Sequence, residues 1–84
     1  MEIKVLYFGR PSESLKISRE LMALPEGVKT LADLLAWLKL RGEIWQQALA
    51  ESRVRCAINQ EFCKLNSPIN DGDEVAIFSP ISGG

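Results

Sequence analysis

A chain of 84 residues, 46% hydrophobic and 25% charged with a formal net charge of −1, has the make-up of one small globular domain rather than of a disordered or fibrous segment. Ten Lys and Arg against eleven Asp and Glu, scattered from Lys4 to Lys64, give no basic stripe to neutralise phosphates, which argues against a nucleic-acid partner. No apolar run approaches the roughly 20 residues of a membrane span, and Met1-Glu2-Ile3-Lys4 lacks the basic-then-apolar order of a secretory leader, so the expectation is a cytoplasmic protein with no membrane partner.

Ile3 to Phe8 alternates with a period of two, Ile3, Val5 and Tyr7 on one face and Lys4, Leu6 and Phe8 on the other, the pattern of a half-buried strand. Lys4 marks the second face as partly exposed. Gly9-Arg10-Pro11-Ser12 ends the strand, and Ser12 is placed to cap a short helical turn through Leu15. Arg19 to Leu24 reads as a second strand, closed by the turn Pro25-Glu26-Gly27. The clearest element runs from Thr30 to Arg41. Thr30 is its N-cap, Asp33 suits the positive end of the helix dipole, and Leu31, Leu34, Leu35 and Leu38 form one apolar stripe. Gly42 is the expected C-terminal stop, and Ile44 to Glu51 reads as a shorter second helix.

Val54, Cys56 and Ile58 alternate with Arg55, Ala57 and Asn59 as a third strand, and Asn59-Gln60 turns the chain into a short strand at Glu61 to Cys63. Ser67-Pro68 and Asp71-Gly72 mark a loop. Glu74 to Ser79 is the last strand, with Val75 and Ile77 on one face and Ala76 and Phe78 on the other, and Pro80 discourages further pairing. The order strand, strand, helix, strand, short strand, strand predicts an α+β fold, a mixed sheet wrapped over one main helix: the β-grasp arrangement. No repeat or linker interrupts it, so residues 1–84 form one domain with a thin core and a tail at residues 80–84.

The chain holds no histidine, hence no histidine general base and no Ser-His pair. Gly9 and Gly27 are isolated turn residues rather than a phosphate-binding loop. Cys56 and Cys63 do not form a Cys-x-x-Cys motif and cannot complete a four-ligand zinc site without carboxylates. They read as small buried hydrophobes, with a redox role as the lesser alternative, and no metal site is expected.

The informative feature is the terminal Gly83-Gly84, after Pro80-Ile81-Ser82. A tail leaving the last strand of such a domain can enter a narrow channel of a partner, because glycine has no Cβ and permits close backbone approach. A free carboxylate is a poor electrophile. Adenylation makes it a mixed anhydride, from which a sulfur nucleophile displaces AMP to leave a C-terminal thiocarboxylate. The protein would then act as a group carrier.

Asn59-Gln60-Glu61-Phe62, Pro68, Asp71-Gly72-Asp73-Glu74-Val75-Ala76-Ile77-Phe78 and Pro80-Ile81-Ser82-Gly83-Gly84, with Ile3 to Phe8 and Thr30 to Leu35, resemble the small subunit of molybdopterin synthase, the ubiquitin-like MoaD family. Ser79 departs from the proline that relatives often carry. The resemblance implies that an activating enzyme similar to ubiquitin E1 uses ATP to adenylate Gly84, and that a sulfur donor converts it to the thiocarboxylate. It also implies that the flexible tail inserts into the large synthase subunit and gives sulfur to cyclic pyranopterin monophosphate. Two transfers build the dithiolene. The implied assembly is a heterotetramer with catalytic side chains on the large subunit, and no cofactor stays bound to the small one.

Phe8, Phe62 and Phe78 are the candidates for an apolar docking patch. By resemblance they meet the large subunit and the activating enzyme, with Pro80, Ile81 and Ser82 as tail contacts. Core packing is the competing reading for each ring. Arg10 and Lys64 are candidate rim contacts. Other functions remain compatible with the terminus: a β-grasp carrier for thiazole synthesis or another thiolation, a modifier joined to lysines through Gly84, or a binding module with an inert tail. Thiazole carriers tend to be shorter, and the Trp37 to Arg53 region fits the molybdopterin family better.

Overall fold

The computed structural model describes residues 1–80. Strand β1 (Glu2–Phe8) buries Ile3, Val5 and Tyr7 and leaves Glu2, Lys4 and Phe8 exposed, as its alternation predicts. Gly9 then adopts φ +66° and ψ −136° as the N-cap of α1 (Arg10–Leu15), whose first turn holds Pro11. Ser12 is therefore inside this helix and not its cap. The sharp bend after β1 requires a left-handed backbone that glycine accepts and serine resists, and Pro11 pre-sets the helical φ. Lys16, left-handed at φ 57°, ends the helix.

Strand β2 (Arg19–Ala23) returns antiparallel to β1, with Val5 opposite Glu20 and Ile3 opposite Met22. Helix α2 (Leu31–Lys39) starts at a full capping box: the Asp33 N–H donates to Thr30 Oγ1 (3.2 Å) and the Thr30 N–H donates to Asp33 Oδ2 (3.1 Å). Leu31, Leu34, Leu35 and Leu38 are all buried under the sheet. The helix is shorter than its sequence pattern at the C-terminal end, and Gly42 is not its stop. The N–H groups of Leu40, Arg41 and Gly42 donate to the carbonyls three residues back, at Trp37, Leu38 and Lys39, a tightened last turn that needs no left-handed residue. Gly42 instead caps the N-terminus of α3 (Glu43–Ala48), which ends before Glu51 so that Leu49 can drop fully into the core.

Strand β3 (Arg55–Ile58) and the two-residue β4 (Glu61–Phe62) form a hairpin. Asn59 and Gln60 both have positive φ, 53° and 71°, as a two-residue turn matched to strand twist requires. Ala57 is buried although its alternation groups it with Arg55 and Asn59; its neighbours across the ladders are Phe62 and Ala76. Strand β5 (Glu74–Phe78) runs between β3 and β1, parallel to β1, giving the sheet order β2-β1-β5-β3-β4. This is the mixed sheet over a main helix that the element order predicts.

Two polar ties hold the ends of this arrangement. Asn59 bridges the hairpin turn to the start of β5: its Nδ2 donates to Asp73 Oδ1 (2.9 Å) and its Oδ1 accepts from the Glu74 N–H (3.0 Å). The other Asp73 oxygen accepts from the Asn70 N–H (2.8 Å), so the buried carboxylate is satisfied. On the far side, Arg41 forks onto Glu20 with Nη1 to Oε1 at 2.9 Å and Nη2 to Oε2 at 2.8 Å. The Tyr7 hydroxyl donates to the same carboxylate (3.1 Å), the Arg41 guanidinium lies 4.6 Å from the Trp45 ring centroid, and Trp45 meets Tyr7 edge-on at 6.0 Å. This cluster joins β1, β2 and α3 through one residue of the α2–α3 turn.

The Arg41 fork holds the Glu20 carboxyl below the ordinary glutamate range, against some desolvation, and burial beside Glu20 pushes the Tyr7 hydroxyl up. A carboxylate depressed in the folded state contributes stability that is present above its unfolded value and lost as pH falls through the folded one. Arg41→Ala should therefore lower stability by about 1 kcal/mol at neutral pH, a Tm loss of about 4–8 °C for a domain of this size. The difference from the parent should shrink as pH falls below about 4.5, the ordinary glutamate value. Thermal melts across pH check both points.

Candidate functional site

The open face of the sheet, opposite α2, is set by the register. Phe8 stands opposite Phe78, Leu6 opposite Ala76, and Lys4 opposite Glu74 along the β1–β5 ladder. Arg55 continues the Phe8–Phe78 row onto β3; Ala57 continues the Leu6–Ala76 row, which Phe62 extends onto β4. Two small alanines at the centre leave room for the rings around them. Phe62 tilts against Phe78 with centroids 5.9 Å apart. Phe62 is 84% exposed and Phe8 51%, while Phe78 is half-buried. None of the three joins the core, so core packing does not account for Phe8 or Phe62. Adjacent exposed aromatic rings form the kind of apolar patch that marks a partner surface.

The root of the tail lies beside this patch. β5 ends at Phe78 and continues through Ser79 and Pro80. Ile81, Ser82, Gly83 and Gly84 lie outside the described residues. A groove of about 900 Å³ runs between α1 and α3 against the tail root, lined in part by Arg10, Pro11, Ile44, Arg53, Ser79 and Pro80. Arg10 thus stands at the tail root, as a rim contact would, whereas Lys64 lines a separate hollow with Glu51, Arg55 and Cys63. Arg53 and Ile44, which nothing in the sequence singles out, sit on the segment around α3 and line this groove with Ser79 and Pro80 where α1 packs on α3.

Gly9 also belongs to this region. A Cβ built on it would lie 3.1 Å from Ser79 Oγ, so the turn after β1 is pressed against the first residue beyond β5. Its isolated position in the sequence gave no hint of that contact.

The described residues offer little catalytic chemistry of their own. They contain no group of three or more Cys, Asp or Glu side chains that could hold a metal. Burial pushes the Cys56 thiol up to about 12, with Cys63 adding to the effect, and burial also raises Cys63 against a backbone hydrogen bond that lowers it. Neither is an activated nucleophile. The exposed aromatic rings lie next to the point where the chain leaves β5. No helix of the described residues is long and apolar enough to cross a membrane.

The ThiS family model matches residues 5–84. The chain is 38% identical, over 88 aligned residues, to the molybdopterin synthase sulfur carrier subunit of Chlamydomonas reinhardtii, covering 100% of both chains. Among solved structures, it superposes on SAMP1 from Haloferax volcanii with a TM-score of 0.74 at 22% identity, over 100% of both chains; at that identity the likeness is one of fold. It also superposes on a chain of the complex of subunits 1 and 2 of the molybdopterin-converting factor from Helicobacter pylori, with a TM-score of 0.68 at 25% identity and 100% coverage of both. With its β-grasp sheet over one main helix, and with the family model matching residues 5–84, this chain belongs to the ThiS family.

Proposed function

We propose that the protein is the sulfur carrier subunit of a molybdopterin synthase, with Gly84 as the reacting residue. The observation that carries this reading is the junction at Phe78: one strand presents a ring to the exposed aromatic patch and leads directly into the tail root. A partner that docks on Phe8, Phe62 and Phe78 therefore also receives whatever follows Pro80. The full-length relationship to a named sulfur carrier subunit supports the same reading, as does the fold likeness to a subunit solved in complex with its second subunit.

In this account an E1-like enzyme brings the Gly84 carboxylate to ATP. A carboxylate oxygen attacks the α-phosphorus, pyrophosphate leaves, and an acyl-adenylate forms. Hydrosulfide released by a sulfur donor adds to the acyl carbon and expels AMP, leaving the thiocarboxylate. The carrier then moves to the large synthase subunit, where Pro80, Ile81, Ser82 and Gly83 enter the insertion channel as its tail contacts. Sulfur passes to cyclic pyranopterin monophosphate, and two carriers are consumed per dithiolene. ATP belongs to the activating enzyme, and the small subunit needs no resident cofactor. The assembly would be a heterotetramer with a small subunit at each end of a large-subunit dimer.

A carrier serving another thiolation would use the same terminus. The end-to-end relationship with a molybdopterin synthase subunit favours the first reading, and so does the α3 region, where Trp45 is built into the Tyr7–Arg41 cluster.

Deleting Gly84 should abolish molybdopterin formation in a reconstituted synthase assay while leaving the melting temperature unchanged, because the core among the described residues is complete by Ile77. Normal product from the truncated chain would overturn the assignment. Phe62→Ala should weaken binding to the large subunit about 10- to 30-fold with little effect on stability, as titration calorimetry and thermal melts would register. Unchanged affinity would remove the patch from the docking surface.

A further inference from the structure

Cys56 and Cys63 stand seven positions apart in the sequence, yet the hairpin brings them together. With Ala57 opposite Phe62 and Ile58 opposite Glu61, the next pair along the ladder is Cys56 and Cys63. The Cys63 N–H donates to the Cys56 carbonyl at 3.1 Å, which makes this a hydrogen-bonded pair. Such residues put their side chains on the same face with Cα atoms about 5.5 Å apart, inside the roughly 4.4–6.8 Å window that a disulfide spans. Both are free thiols, Cys56 buried and Cys63 half-buried. A hollow of about 190 Å³ beside the start of α2 is lined by both, along with Leu31 and Leu35. The two thiols thus face one small opening, and one of them is accessible from it.

We propose that Cys56 and Cys63 are a redox pair that a small-molecule disulfide converts to an intramolecular cross-strand disulfide. The Cys63 thiolate attacks one sulfur of glutathione disulfide. The glutathione S–S bond breaks, one glutathione thiolate leaves, and a mixed disulfide forms on Cys63. The Cys56 thiolate then attacks the Cys63 sulfur and expels the second glutathione thiolate. The two cysteine thiols are oxidised by two electrons, glutathione disulfide is reduced to two glutathiones, and the two protons end on those thiols. Burial slows both attacks by keeping the thiols protonated, so the exchange is a slow response rather than a fast catalytic step. The bond closes a ring over residues 56–63 that contains β4, the two-residue edge strand, and with it the exposed Phe62.

The test uses the full chain incubated with glutathione disulfide at mildly alkaline pH, then denatured and alkylated. The expected result is an intact mass lower by two hydrogens, no alkylated thiol, a digest in which Cys56 and Cys63 are joined, and full reversal by dithiothreitol. Amide exchange at Glu61 to Cys63 should slow about 10-fold in the oxidised form. In Cys56→Ser the glutathione adduct on Cys63 should persist, because nothing resolves it. Should that variant fail to fold, Cys63→Ser provides the second check: it should take up glutathione far more slowly than the parent, since only the buried thiol remains. A lasting glutathione adduct on the parent chain, disulfide-linked dimers, or thiols that stay free while the denatured chain oxidises would each overturn the proposal.

Discussion

The parallel pairing of β1 with β5 is the constraint on which the rest of the molecule depends. It joins the first strand to the last at the centre of the sheet, so the crossover between them must contain everything else: β2, the main helix, and the β3–β4 hairpin. The same register places Val5, Val75, Tyr7 and Ile77 against the α2 leucines, and Phe8 beside Phe78 on the opposite face. A shift of one residue would send these sets to the wrong sides of the sheet. The core and the proposed docking face are therefore fixed by one ladder.

That ladder is held at both ends by polar groups rather than by more apolar area. At the start of β5, Asn59 and the Asp73 carboxylate join the hairpin turn to the loop before the strand, while Glu2 donates to Asp71 and accepts from the Gly72 N–H. These residues carry much of the family resemblance, and their work is to position β5, not to react. At the other end, Gly9 lies against Ser79 where the chain leaves the sheet. The proposed chemistry at the chain end calls for a rigid origin, and these contacts fix β5 up to the residue after it.

Much of the fold was legible locally. The alternation of Ile3 to Phe8, the Thr30–Asp33 box with its leucine stripe, and the Asn59-Gln60 turn each express a short-range rule, and each appears in the structure. What was not legible depends on distant packing. Arg41 meets Glu20 from 21 positions away, and nothing in either neighbourhood announces the fork. Ser12 lost the capping role to Gly9 because the chain bends more sharply than its composition indicates. Gly42 was displaced as a stop because α2 ends in a tight turn that runs directly into α3. The cysteine pair is different. The two-residue turn at Asn59-Gln60 already implies that residues 56 and 63 face one another. Phe8, Phe62 and Phe78 stood out in the sequence as candidates, with core packing open for each; their exposure and the groove formed by Arg53 and Ile44 at the tail root depend on the packed sheet and on α1 against α3.

The proposed role of Gly84 as the sulfur-bearing residue can be read from the intact mass of the chain. After incubation with the activating enzyme, ATP and a sulfur source, the account predicts a mass increase equal to the exchange of one oxygen for sulfur, located by fragmentation at Gly84. An unchanged mass, with the same activating enzyme shown to load another carrier, would contradict it.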